Sequence, residues 1–226
     1  MSVSNVVVRP GSATASYTAV HDKDGELLHA ISDMRLFDEF HLPDEYRPGK
    51  VPLQQIIEEA AVVVIDANLP VSVVNRISTL CHSTKLFADS VSRSKCHKLA
   101  GALSAISLLK VNRAEAIALT GGRFSDDESL LKAIHNLGPA QVLMTCGDEG
   151  VVMSVGGEIF RADVLPGIEV VSTNGAGDAM LSGVIAAELA GLSFDKQLQC
   201  GVLAATETLR VYSACSDTLS RHLLHL

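Results

Sequence analysis

Short apolar runs alternate with amphipathic stretches through most of this chain. Residues 61–66 read Ala-Val-Val-Val-Ile-Asp, a continuous apolar run closed by one polar residue. Runs of the same kind stand at 85–89, 106–111 and 142–145, and Asp89, Asn112 and Thr145 fall at their ends. Unbroken aliphatic and β-branched runs of this length predict strands buried on both faces. Between them, helical spacing covers 53–60, 71–81, 94–103, 113–120 and 125–136. The punctuation agrees with that reading. Asn68 and Pro70 open one helix, Gly121-Gly122 closes another, and Ser125-Asp126-Asp127-Glu128 offers a capping box. Residues 151–154 and 159–162 flank Gly156-Gly157 as a hairpin. Residues 176–190 and 194–211 predict two long helices rich in small and apolar residues.

The first part of the chain has a different rhythm. Residues 3–8, 15–21 and 27–32 are β-prone, and the Asp-Gly turn within 21–26 makes the last two a hairpin. Polar residues dominate 33–50, with Pro43, Pro48 and Gly49 as breakers, which marks a boundary or a long surface connection. The expected organisation is a β-rich lid or edge segment over 1–35 and an α/β core over 36–226. Strand–helix alternation predicts an α/β fold with a mostly parallel sheet flanked by helices on both faces. Ligands then sit beyond the carboxyl ends of the strands, where Asp66, Asp89, Asn112 and Thr145 fall.

Composition narrows the function classes. Hydrophobic residues make up 47% of the 226, aromatics only 4%, and Trp is absent, so Val, Leu, Ile and Ala must build the core. The net charge of -8, with no long basic run, argues against nucleic acid as a partner. No apolar run approaches the roughly 20 residues that cross a bilayer, and residues 1–4 lack a signal-peptide pattern. Cys81, Cys96, Cys146, Cys200 and Cys215 are odd in number and form no CxxC, so a reducing cytoplasm is expected. Cys81-His82 and Cys96-His97 raise the question of zinc. Structural zinc draws two ligands together across a short turn, whereas adjacent helical residues point apart, so ordinary half-buried pairs are expected.

The densest chemistry is at 170–179, Val-Val-Ser-Thr-Asn-Gly-Ala-Gly-Asp-Ala. A β-prone pair leads into a small-residue loop, and a helix follows at once. Two glycines around an alanine let the backbone approach a ligand, and successive N–H groups at a helix start attract an anion. Asp178 in the first helical turn can orient a hydroxyl and accept its proton. A helix N-terminus is expected to lower its pKa, which weakens it as a base. A plain Gly-rich turn with a favourably placed Asp is the competing reading. Two other motifs fail: Met180 stands where GxGxxG needs its third glycine, and no Gly-Lys-Ser/Thr follows.

Residues 172–178 resemble the Asp-Thr-x-Gly-Ala-Gly-Asp motif of the ribokinase-like (PfkB) carbohydrate and nucleoside kinases, with Ser172 in place of the first Asp. Residues 110–115, Lys-Val-Asn-Arg-Ala-Glu, resemble that family's Lys-Pro-Asn-x-x-Glu, with Val111 in place of Pro. Residues 145–150, Thr-Cys-Gly-Asp-Glu-Gly, resemble its Thr-x-Gly-x-x-Gly strand end. Asn-x-x-Glu is also a capping box and Thr-x-Gly-x-x-Gly also a turn, so each is weaker than the Asp178 loop. Residues 30–34, 66–70 and 88–95 look most like the pseudouridine kinases within the family. Asp66 and Asp89 can equally be local caps, and Lys95 either reaches a phosphate or is solvated.

The resemblance implies a ribokinase-like fold and an ATP-dependent kinase acting on a nucleoside sugar hydroxyl, pseudouridine first. Another sugar or nucleoside, or a non-catalytic nucleotide-binding protein, are the alternatives. It implies Asp178 as catalytic base and Gly175, Ala176 and Gly177 as anion hole. Asn112, Thr145, Gly147, Gly150 and Thr173 would hold ATP, and Asn112 and Glu115 would organise Mg2+ through water. K+ is a further candidate ion, and a homodimer the assembly considered. Family members also carry a leading strand and a Gly-Gly loop ahead of the lid strands. Residues 3–32 read directly as lid and sheet material, so the resemblance implies a chain short at its N-terminus. Such a chain would lack much of a sugar pocket and expose a sheet edge.

Overall fold

The computed structural model describes residues 5–22, 27–46 and 51–220. In chain order the strands are β1 (Ser16–His21), β2 (Leu27–Asp33), β3 (Glu45–Tyr46), β4 (Val51–Pro52), β5 (Val62–Asp66), β6 (Lys85–Asp89), β7 (Leu108–Asn112), β8 (Gln141–Thr145), β9 (Val151–Val155) and β10 (Glu158–Ala162). The helices are α1 (Arg35–Asp38), α2 (Leu53–Glu59), α3 (Val71–Leu80), α4 (Arg113–Thr120), α5 (Asp127–His135), α6 (Ala176–Leu189) and α7 (Phe194–Leu209). A 3-10 helix runs over Cys96–Ala105.

Six strands form one sheet in the order β10-β9-β8-β7-β6-β5. The four from β5 to β8 run parallel, and β9 and β10 add an antiparallel hairpin at the far edge. Side chains alternate between the faces. One face sends Ile65, Leu86, Ala88, Leu109, Val111, Val142 and Met144 against α2, α3, α4, α5 and the 3-10 helix. The other sends Phe87, Leu108, Leu143, Val151 and Met153 against α6 and α7. Each fully buried aliphatic side chain contributes roughly 1.5–3 kcal/mol, so these two layers dominate the stability. The pair α6–α7 packs closely because small residues line its seam. A Cβ at Gly183 would stand 2.6 Å from the Cys200 carbonyl oxygen.

The β1–β2 pair is antiparallel, as the hairpin reading requires, and forms its own sheet. Residues 23–26, which carry the expected Asp-Gly turn, lie outside the described residues. Tyr17, Val20, Leu28 and Ile31 are exposed, and among the described residues no hairpin side chain joins either core. The stretch 33–50 is better anchored than a boundary would be. Phe40, Leu42 and Tyr46 pack against the first core, and Arg76 donates to the Leu42 carbonyl at 2.7 Å and pairs with Asp44. Pro48 and Gly49 lie outside the described residues.

Four expectations are corrected. Residues 5–8 form no strand and are exposed. Cys96–Ala105 winds as a 3-10 helix, not an α-helix. Asp126, not Ser125, caps α5: its carboxylate accepts from the Ser129 N–H at 2.8 Å, which brings its pKa down to about 2. Val170 and Val171 form no strand; the N–H groups of Val171 and Ser172 both reach the Leu209 carbonyl at the end of α7. No helix among the described residues is long and apolar enough to cross a membrane.

Candidate active site

The parallel register lines up charge at the carboxyl end of the sheet. Asp66 on β5 is paired across from Asp89 on β6, and Asp89 across from Lys110 on β7. By strand alternation all three lie on the face that α6 covers. Asp89 is 5% exposed and Lys110 8%. Lys110 Nζ donates to Asp89 Oδ1 at 3.2 Å and lies 2.9 Å from Oδ2, off the line of a hydrogen bond to that oxygen. Asp89 Oδ1 also accepts the Val91 N–H at 2.8 Å. Val91 itself has φ 62°, a left-handed backbone that a β-branched residue rarely takes. Asp66 is held by Asn68, whose N–H and Nδ2 donate to its two oxygens at 2.9 Å each.

The loop at 173–178 sits directly on this row. Gly175 caps α6 with φ 80°, and a Cβ there would stand 1.9 Å from the Ala214 carbonyl oxygen. Only glycine satisfies both constraints. Ala176 and Gly177 open the helix, and the Ala176 N–H reaches the exposed Thr173's carbonyl at 3.4 Å. A Cβ at Gly177 would stand 2.6 Å from Lys110 Nζ, so the ammonium touches the helix start. Ser172 is buried, and its hydroxyl accepts the Asn174 N–H at 3.2 Å, as an aspartate in the same place would.

Asp178 follows in the first turn of α6. The residue as a whole is exposed, while its carboxyl feels the Asp89, Lys110 and Asp66 charges of the row. Burial raises its pKa, Asp89 and Asp66 add to the rise, and Lys110 opposes it. This corrects the expectation of a lowered pKa, because burial and two carboxylates outweigh the cation and the helix start. The direction suits a base that must hold a proton during transfer.

Asn112 ends β7 and caps α4 through a complete capping box. The Glu115 N–H donates to Asn112 Oδ1, the Asn112 N–H to Glu115 Oε2 and Asn112 Nδ2 to Glu115 Oε1, each at 2.8 Å. Ser90 Oγ adds a bond to Oε2 at 2.5 Å. Glu115 is 3% exposed, and both of its oxygens are engaged. Asn112 and Glu115 also line an open cavity of about 670 Å³ with Val91, Ser92, Arg93 and Ser94. No group of three or more His, Cys, Asp or Glu side chains suited to a metal occurs among the described residues. With both oxygens engaged, Glu115 is better suited to ordering a water beside Mg2+ than to binding the ion directly.

Thr145 ends β8 paired across from Asn112. Gly147 opens a tight turn, and the Cys146 N–H reaches the Gly150 carbonyl at 2.9 Å. Arg113 ties this turn to α4, donating to Asp127 at 2.9 and 3.0 Å and to Glu149 at 2.6 Å. Lys95 donates to Asn68 Oδ1 at 2.6 Å and thereby steadies the residue that holds Asp66. Cys81 and Cys96 are buried, whereas His82 and His97 are exposed.

Sequence reasoning treated Lys110 only as part of a motif and Asp89 only as a strand end. A signal was present. A lone lysine inside Leu108-Leu109-Lys110-Val111 needs a buried anion, and strand parity offers Asp89.

The model for the pfkB family of carbohydrate kinases matches residues 2–221. Pseudouridine kinase of Escherichia coli (strain K12) is 30% identical over 201 residues, 87% of this chain and 62% of that kinase. A carbohydrate kinase from Agrobacterium tumefaciens superposes with a TM-score of 0.74 at 30% identity, over 95% of this chain and 68% of that one. Ribokinase of Arabidopsis thaliana, solved with ribose and ATP, superposes with a TM-score of 0.74 at 22% identity, over 94% of this chain and 70% of that one. The chain spans 62% and 60% of the lengths of two curated relatives that it matches. The architecture is thus ribokinase-like: a mostly parallel sheet between two layers of helices.

Proposed function

The chain belongs to the pfkB family of carbohydrate kinases, and from that premise we propose an ATP-dependent phosphoryl transfer to the sugar hydroxyl of a nucleoside. Pseudouridine, giving pseudouridine 5'-phosphate, is the first candidate acceptor. The observation that carries the reading is the Gly-Ala-Gly-Asp start of α6 resting on the Asp66–Asp89–Lys110 row. The hydroxyl oxygen attacks the γ-phosphorus, the bond from that phosphorus to the β–γ bridging oxygen breaks, and ADP leaves. Asp178 takes the hydroxyl proton, and its raised pKa favours holding it. The N–H groups of Gly175, Ala176 and Gly177 stabilise charge on the moving phosphoryl group. Asn112, Thr145, Gly147, Gly150 and Thr173 hold the nucleotide, and Asn112 with Glu115 orders water around Mg2+. That ion, when bound, neutralises charge on the phosphates. Residues 1–35 serve as a lid segment, and K+ is a further candidate ion.

The choice of pseudouridine rests on the name of the Escherichia coli relative and on the likeness of residues 30–34, 66–70 and 88–95. The match to a carbohydrate kinase at the same identity keeps a free sugar as the second acceptor class. ADP release measured with pseudouridine, uridine and ribose separates the acceptors. Asp178→Asn should lower kcat by about 10²–10⁴-fold while circular dichroism stays unchanged. Near-normal turnover in that variant would sink the assignment of the base. Calorimetric ATP binding with no ADP from any acceptor would identify a non-catalytic nucleotide binder instead.

A further inference from the structure

The buried Lys110 ammonium stands in an unusual place. It touches the start of α6 at Gly177, where the helix already presents the positive end of its dipole. A cation there is unfavourable unless an anion holds it. Asp89 is that anion, at 2.9 Å and 3.2 Å, and both groups are nearly fully buried. Asp89 is itself fixed by the Val91 N–H at 2.8 Å. A chain of contacts therefore runs from Val91 to Asp89, to Lys110, to Gly177, one residue before Asp178.

From this geometry we infer that Asp89 is a positioning residue: it pins the Lys110 ammonium beneath Gly177, and the pair sets the local field at the Asp178 carboxyl. The inference gives that field a purpose only if Asp178 is the base proposed above, but the field itself can be measured without turnover. The charged groups facing Asp178 are Asp66 from β5, Asp89 from β6 and Lys110 from β7. Asp89 and Lys110 act on it with opposite signs. Removing the first should make Asp178 easier to ionise, and removing the second should make it harder. A pair that merely filled space would do neither.

The experiment follows the Asp178 side-chain carboxyl by carbon-detected NMR through a pH titration of the full chain, with Asp178→Asn to assign its signal. Asp89→Asn should move the Asp178 midpoint down by roughly half a pH unit or more, and Lys110→Gln should move it up. Asp89→Glu, which keeps the charge, should restore most of the wild-type midpoint. The two shifts have opposite signs, so either variant alone carries the test if the other fails to fold. A midpoint that stays at its wild-type value in a folded Asp89→Asn or Lys110→Gln protein overturns the inference. Steady-state kinetics on the same proteins separate the two readings. Midpoints that move while no acceptor is phosphorylated sink the proposed function and leave this inference standing. Turnover in the wild type with unmoved midpoints does the reverse. Where both hold, Asp89→Asn should lower kcat more than it raises KM and shift the acid limb of kcat to lower pH.

Discussion

At Asp178, burial and the neighbouring Asp89 and Asp66 carboxylates retain the proton, and Lys110 only partly offsets them. Its folded pKa is therefore above its unfolded value. Between those two values the folded chain binds more proton than the unfolded one, so stability falls as pH rises through that window. The cost is complete only above the folded midpoint. Asp178→Asn should therefore raise Tm at pH 7, and the gain should vanish about one unit below the free-carboxylate value of about 3.9. Scanning calorimetry at the two pH values checks this, and an unchanged Tm at pH 7 would show that the burial is not costly. The same sign governs activity. As the proposed base, Asp178 works ionised, so kcat/KM should fall as pH drops through a midpoint above that of a free aspartate. At this scale the sequence marked Asp178 as the base candidate from its motif. It gave the wrong direction for the pKa, because helix position is local whereas the two opposing carboxylates arrive from β5 and β6.

Two elements carry the site's shape, and each makes a prediction. The start of α6 depends on Gly175, whose backbone is left-handed and whose α-hydrogen faces the Ala214 carbonyl. Gly175→Ala should destabilise the chain by about 2 kcal/mol or more in urea unfolding, since strain and clash add. The start of α4 depends on Glu115, which accepts from Ser90 Oγ and from two Asn112 nitrogens. Glu115→Ala strands these donors and should cost about 2–4 kcal/mol even without Mg2+. Unchanged stability in metal-free urea titrations would show that the capping box is not structural. The elements themselves were largely legible, because period-two and helical patterns are local physics. Where legibility failed, small or ambiguous residues were responsible. Ala, Gly and Ser in Cys96–Ala105 do not distinguish 3-10 from α winding. Ser125 and Asp126 are adjacent cap formers, and only the Ser129 N–H chooses between them. Val170 and Val171 are β-prone, but α7 supplies their partner and no strand does.

Across the whole molecule, the sheet is covered by two separate apolar layers and the β1–β2 hairpin belongs to neither. Removing residues 1–33 should therefore leave the unfolding free energy of the remainder within about 1 kcal/mol. A larger loss in chemical denaturation would mean that the hairpin supports the core. The mostly parallel sheet between helices was readable from strand–helix alternation, though its strand order was not. The meeting of Asp66, Asp89 and Lys110 was not, because it depends on register between strands distant in sequence.

The contacts of Val171 and Ser172 with the Leu209 carbonyl, and of Gly175 with Ala214, have a consequence for the protein's synthesis. A ribosome makes Asp89 and Lys110 early, and β6 and β7 can pair as soon as both emerge. The 173–178 loop lacks its Ala214 neighbour until residue 214 has left the exit tunnel, although its own sequence was translated about forty codons sooner. A nascent chain thus carries a closed charge pair while the 173–178 loop is still unformed, and it gains that loop only once residue 214 is free to pack against it.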